Sequence, residues 1–214
     1  MRVLVTAGPT REPIDNVRFI TNASSGRMGV AVALDAAAAG HQVTLLLGPV
    51  CDDVVARAAA AGCIVKRFVT FDDLRVLLAG EFASTDALVM SAAVGDFRVQ
   101  ARAGKIPRGG GPITLNLTPT EDLLGGLCAG GHAGKIVIGF AVEALPQQEA
   151  ADKARAEMAA KGVDYTVVNS PAAMGSEESL ACIISRGGVA LPWATRPKAQ
   201  LAGEIVKLLA LEKI

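Results

Sequence analysis

Aromatic residues are scarce in this 214-residue chain: they fill 4% of positions, with one Trp, one Tyr and six Phe. Stacking platforms for single-stranded nucleic acid need more than that. Net charge is lacking too, because 21 Lys and Arg balance 21 Asp and Glu. A zero balance removes the bulk electrostatic case for nucleic acid or an anionic membrane surface, while still allowing a local basic patch. Only two histidines occur, His41 and His132, and Cys51, Cys63, Cys128 and Cys182 include no CxxC pair. A structural zinc site is therefore not expected, and the cysteines read as buried free thiols in a reducing cytosol. No apolar signal segment follows Met1, and no uncharged stretch reaches the length of a membrane span. The expectation is a cytoplasmic chain with neither a membrane nor a nucleic-acid partner.

Three motifs are also missing. There is no GxxxxGKS/T, which excludes a P-loop NTPase. The first apolar run ends in TAGPTRE instead of GxGxxG, so a dinucleotide site of the usual kind loses weight. GxSxG is absent, which argues against a Ser hydrolase.

What is present is apolar: 51% of residues, against 20% charged, enough for a sizeable core and too apolar for disorder. The length suits a single domain over residues 1–214. Short β-branched runs alternate with Ala-rich segments. Strands are expected at Arg2–Ala7, Gln42–Leu47, Ile64–Val69, Ala87–Ala92, Ile113–Leu117, Ile136–Ala141 and Tyr165–Asn169. Helices are expected near Gly26–Ala39, Asp52–Ala61, Asp72–Ala79, Thr120–Ala129, Pro146–Lys161 and Pro197–Leu211. Uniformly apolar runs such as VTLLL and IVIGFA belong to strands buried on both faces, hence an α/β fold with a mostly parallel sheet and helices on both sides. SLACIIS and VALPWA flank Gly187–Gly188, which signals an antiparallel hairpin near the C-terminus. Thr10–Ser25 reads as a long polar connection, and Arg98–Pro112 as a basic, Gly/Pro-rich mobile loop.

Four stretches could carry chemistry. NASSGRMG (Asn22–Gly29) opens a helix with small residues, so free backbone N–H groups and the positive dipole end could hold an anion; equally, a Ser could simply cap the helix. SAAVGDF (Ser91–Phe97) ends a buried strand, where Asp96 is either a carboxylate in a partly dry cleft or a turn residue. GFAVE (Gly139–Glu143) offers Phe140 to a base or to the core, and Asn169 can read a base edge or satisfy a loop. Basic residues are scattered over Arg18, Arg27, Lys105, Arg108, Lys153 and Lys161; Lys105 could fold over a triphosphate or stay solvated. On these residues alone, a Rossmann-type NAD(P) oxidoreductase and a non-catalytic nucleotide-binding protein stay open beside a nucleotide-using ligase.

Taken in order, TAGPTREPIDNVRFITNASSGRMG, SAAVGDF, KIP, GFAVE and KGVDYTVVN resemble phosphopantothenoylcysteine synthetase (phosphopantothenate–cysteine ligase) over essentially the whole chain. The resemblance implies a Rossmann-like fold, a homodimer and the joining of 4′-phosphopantothenate to L-cysteine in coenzyme A synthesis. The co-substrate would be CTP, through an acyl-cytidylate, more readily than ATP, with Mg²⁺ accompanying the nucleotide. By the same resemblance, Asn22 and Lys105 are catalytic. Gly8, Ser24, Gly26, Gly29, Asp96, Phe140, Lys161 and Asn169 contact the nucleotide. Asn22, Ala92, Ala93 and Asp96 line the phosphopantothenate site, and Arg18 reaches the substrate across the dimer. Three departures from the family pattern stand out: Gly95 before Asp96, Pro107 and Arg108 after Lys105, and Glu157 where a second helical lysine is usual. No flavin and no decarboxylase activity are expected.

Overall fold

The structure is a computed structural model and describes residues 1–109, 111–132 and 134–210. Strand β1 (Arg2–Ala7) is followed by β2 (Arg11–Pro13), β3 (Phe19–Thr21), helix α1 (Arg27–Ala38), β4 (Gln42–Leu47), α2 (Asp52–Ala60), β5 (Ile64–Arg67), α3 (Phe71–Phe82) and β6 (Ala87–Met90). Then come β7 (Phe97–Val99), β8 (Leu117–Pro119), α4 (Leu123–Cys128), β9 (Ile136–Val142), α5 (Gln147–Lys161) and β10 (Tyr165–Asn169). After a 3₁₀ turn at Pro171–Ala173, β11 (Glu178–Ser185), β12 (Gly188–Pro197) and α6 (Lys198–Leu209) follow.

Eight strands form one sheet in the order β12-β11-β10-β9-β6-β1-β4-β5. From β10 to β5 all neighbours are parallel. The β11–β12 hairpin adds antiparallel strands beside β10, as the Gly187–Gly188 signal predicts. Alternation along β1 divides the core: Val3, Val5 and Ala7 face α1, α2 and α6, whereas Leu4 faces α3, α4 and α5. The chain leaves β1 toward β4 and β5, then crosses back to lay β6 on the other side of β1. Such a reversal opens a crevice at the carboxyl ends of the two central strands.

Most helices begin and end near their expected limits. Helix α3 exceeds Asp72–Ala79 at both ends: the reciprocal capping box of Thr70 and Asp73 starts it at Phe71, one residue earlier, and it continues to Phe82. Helix α4 is shorter than Thr120–Ala129: Asp122 caps it by accepting from the Gly125 N–H at 3.0 Å. The end of the expected last helix, Leu211, lies outside the described residues.

The structure departs from several expectations. Ile113–Leu117 is not a strand; only Leu117 joins one, and β8 pairs antiparallel with β7. The long connection Thr10–Ser25 carries structure of its own, since β2 and β3 pair within it. The first part of Arg98–Pro112 is tied down: the Arg102 N–H donates to Ile14 O at 2.9 Å and the Ile106 N–H to Asp15 Oδ2 at 2.9 Å. Cys51 is exposed, while Cys63, Cys128 and Cys182 are buried as expected. Among the described residues no helix is long and apolar enough to cross a membrane.

Candidate functional site

A cavity of about 840 Å³ lies over the carboxyl ends of β6, β9 and β10 and is closed on one side by the start of α1. Helix α1 has Gly26 at its N-cap, no side-chain cap and no acidic residue in its first turn. Its leading N–H groups are thus donors without an internal partner, at the positive end of the dipole. Ser24 and Ser25 line the cavity beside them. Glycine is required at position 26: φ is +73°, and a Cβ would sit 2.9 Å from Val50 Cγ1. Gly29 serves packing, since a Cβ there would fall 2.6 Å from Thr6 O.

The opposite wall is the segment after β6. Thr6 Oγ1 accepts from the Ala92 N–H at 2.9 Å, fixing Ala92 and Ala93 against the end of β1. Asn22 bridges from the α1 side to this wall, its Nδ2 donating to Val94 O at 2.9 Å and Ala93 O at 3.3 Å. Both amide hydrogens are therefore committed, and Oδ1 is the atom left for a ligand. Asp96 lines the rim but is exposed, not set in a dry cleft. Phe140 is half-buried: it packs on the core and also lines the cavity. Asn169 is buried at the end of β10, and its Oδ1 has no hydrogen-bond partner. Lys161 places Nζ 3.1 Å from Asp122 Oδ2. Burial alone would raise the Asp122 carboxyl, yet the Gly125 N–H and Lys161 hold it below its ordinary value.

Not every residue assigned by resemblance reaches this cavity. Gly8 and Gly29 lie behind its wall, Gly8 just after β1 against Gly48 and Gly29 within α1 against the end of β1; neither lines it. Lys105 is exposed and does not line it either. Arg18 is outside as well, bonded to Asp15 and donating to Ile106 O at 2.8 Å. The Arg18 guanidinium, then the Ile106 N–H, hold the Asp15 carboxyl well below the usual carboxylate range.

Other cavity residues escaped the sequence reading. Lys198 is 8% exposed, and its ammonium donates to Ala173 O at 2.7 Å and to Ser176 O. Burial, then the Arg27 charge, lower its pKa. Arg27 donates to Gly175 O at 3.0 Å and pairs with Glu177 at 2.9 Å. The two cations thereby anchor the 170–177 loop that roofs the cavity. A lysine at the first position of a helix opposes the dipole, which is the one local sign that Lys198 has other work. Among the described residues no group of three or more His, Cys, Asp or Glu side chains could hold a metal ion.

The model of one family, described as the DNA/pantothenate metabolism flavoprotein C-terminal domain, matches residues 1–211. The chain belongs to that family. It is 35% identical to a cysteine/cysteine sulfinic acid decarboxylase of an unknown prokaryotic organism, over 98% of this chain and 58% of that protein. It is also 35% identical to the coenzyme A biosynthesis bifunctional protein CoaBC of Thermococcus kodakarensis, over 97% of this chain and 51% of that one. The chain thus spans about half the length of these relatives. Among solved structures, the C-terminal domain of a CoaBC protein superposes with a TM-score of 0.74 at 27% identity, covering 97% of this chain and 93% of that one. A Cab2 H337A mutant in complex with phosphopantothenate-cysteine superposes with a TM-score of 0.76 at 17% identity, covering 97% and 85%. Family and relatives bear out the resemblance to phosphopantothenoylcysteine synthetase, and the neighbours share this α/β fold.

Proposed function

We propose that this chain condenses 4′-phosphopantothenate with L-cysteine to 4′-phosphopantothenoylcysteine, using a nucleoside triphosphate, CTP in preference to ATP. The observation that carries the reading is the uncapped start of α1, which opens onto a cavity of about 840 Å³ beside Asn22. That volume is within the usual range for small-molecule sites, about 300–1,000 Å³. The names of the CoaBC relatives and the product held by the Cab2 neighbour support the substrate class.

In the first step a carboxylate oxygen of phosphopantothenate attacks the α-phosphorus of CTP. The bond to the bridging oxygen breaks, pyrophosphate leaves and an acyl-cytidylate remains. Preorganised donors at the α1 start, with Lys161, stabilise the dispersed negative charge. In the second step the cysteine amine attacks the acyl carbon, its proton departs and CMP leaves. Asn22 Oδ1 accepts a hydrogen bond from that amine and orients it. Donation from its amide to the oxyanion is the less favoured role, because its N–H groups already serve Ala93 and Val94. Among the described residues no side-chain cluster forms a metal cage; Mg²⁺ habitually binds through nucleotide phosphates and water, where it would neutralise phosphate charge.

A homodimer fits the apolar surface near the two small hairpins, where Phe19, Phe97 and Leu117 are exposed. In such a dimer Arg18 would serve the partner's cavity, and Lys105, next to the Ile106 that Arg18 and Asp15 hold, would meet the triphosphate there.

The test is pyrophosphate release with 4′-phosphopantothenate, comparing CTP with ATP and omitting cysteine in parallel. Release should require phosphopantothenate, favour CTP, and stop near one equivalent per site without cysteine. No release with either nucleotide would overturn the reading.

A further inference from the structure

Helix α5 presents Lys153, Glu157 and Lys161 at four-residue intervals, so the three share one helix face, and all three line the cavity. Lys153 Nζ lies 2.7 Å from Glu143 Oε1 and 3.8 Å from Glu157 Oε1. Glu143, at the end of β9, has a side chain only 9% exposed, whereas that of Lys153 is 49% exposed. The Glu143 bond raises the Lys153 pKa, so this cation is fully charged at neutral pH. Lys161 is held in the same manner by Asp122. Each lysine of the stripe therefore waits on a carboxylate that also lines the cavity.

We infer that Lys153 is a second polyphosphate-binding cation of this cavity, released from Glu143 when the ligand enters, and that Glu157 weakens the grip of the stripe. The inference rests on the nucleotide-using reading above. Only the lysine end of the pair is half-exposed, so the ammonium can turn into the cavity, where a polyphosphate offers it several charged acceptors against the single Glu143 carboxylate. The flexible four-carbon stem lets the ammonium swing from one acceptor to the other without moving the helix. Glu157, lying between the two lysines, places a negative charge beside the incoming phosphates and opposes them.

The experiment is calorimetric titration of wild-type protein, Lys153→Ala and Glu157→Gln with CTP and with CMP, Mg²⁺ present throughout. Lys153→Ala should raise the Kd for CTP about tenfold, the loss of one charged hydrogen bond, and leave that for CMP unchanged. Glu157→Gln should lower the Kd for CTP about two- to threefold. If wild type binds CTP and neither variant alters its Kd, the inference falls while the ligase reading stands. Equal weakening of CTP and CMP by Lys153→Ala marks a merely structural lysine and overturns the inference too. If wild type binds neither nucleotide, both readings fall.

Discussion

At the scale of single residues, Asn22 does two things with one amide. Its N–H groups tie the α1 side of the cavity to Ala93 and Val94, and its oxygen is left for chemistry. Asn22→Asp keeps an oxygen acceptor but loses the tie; Asn22→Ala loses both. Asn22→Ala should leave pyrophosphate release within a few-fold of wild type while amide formation drops about a hundredfold or more, as for other positioned active-site amides. Single-turnover assays that follow pyrophosphate and product separately check this, and normal product formation would remove Asn22 from the mechanism. The residue types of this region were legible in NASSGRMG; their division of labour was not. Gly8, Gly26 and Gly29 look alike in sequence, yet only Gly26 lines the cavity, and Gly29 is required by the 2.6 Å approach of Thr6 O.

At the scale of elements, the β2–β3 hairpin and the segment after β7 act as one arm. Asp15 joins them, accepting from the N–H groups of Val17, Arg18 and Ile106 and pairing with the Arg18 guanidinium. Its carboxyl is depressed, so the stabilisation it adds is present above the ordinary Asp pKa of about 3.9 and is lost as pH falls through the lower folded value. The arm therefore stays hooked at neutral pH. Asp15→Asn removes the charge there, and trypsin should then cut after Arg102, Lys105 or Arg108 several-fold faster than in wild type at pH 7. Unchanged cleavage would show that Asp15 does not hold the arm. Sequence periodicity could not reveal these strands: each is three residues long, and β7 and β8 pair across a long intervening segment.

At the scale of the molecule, burial sorts the four cysteines. Cys51 alone among them is exposed. Burial pushes the thiols of Cys63 and Cys128 up, and that of Cys182 to about 11. The thiolate is the reactive species, so a native titration with a disulfide reagent at pH 8 should show one fast thiol, with the other three reacting only on denaturation. Two or more fast thiols would mean that the sheet–helix packing around Cys63, Cys128 or Cys182 is looser than described.

The order of the helices and of the strands in the eight-stranded sheet was readable from the chain, because both-face burial writes itself locally as continuous apolar runs and helix ends carry their own glycine and capping signals. The uncapped start of α1 was readable for the same reason: its free N–H donors and its small residues are neighbours in sequence. Folding alone settled which distant groups meet. Asn22 finds Val94 across 72 positions, and Arg27 reaches Gly175 across 148. The partners of Lys153, Lys161 and Lys198, the withdrawal of Arg18 and Lys105 from this chain's own cavity, and the exposure of Cys51 belong to the same class. Side-chain charge and hydrogen bonding act through space over a few ångströms, and no local pattern records which loops the sheet will bring that close.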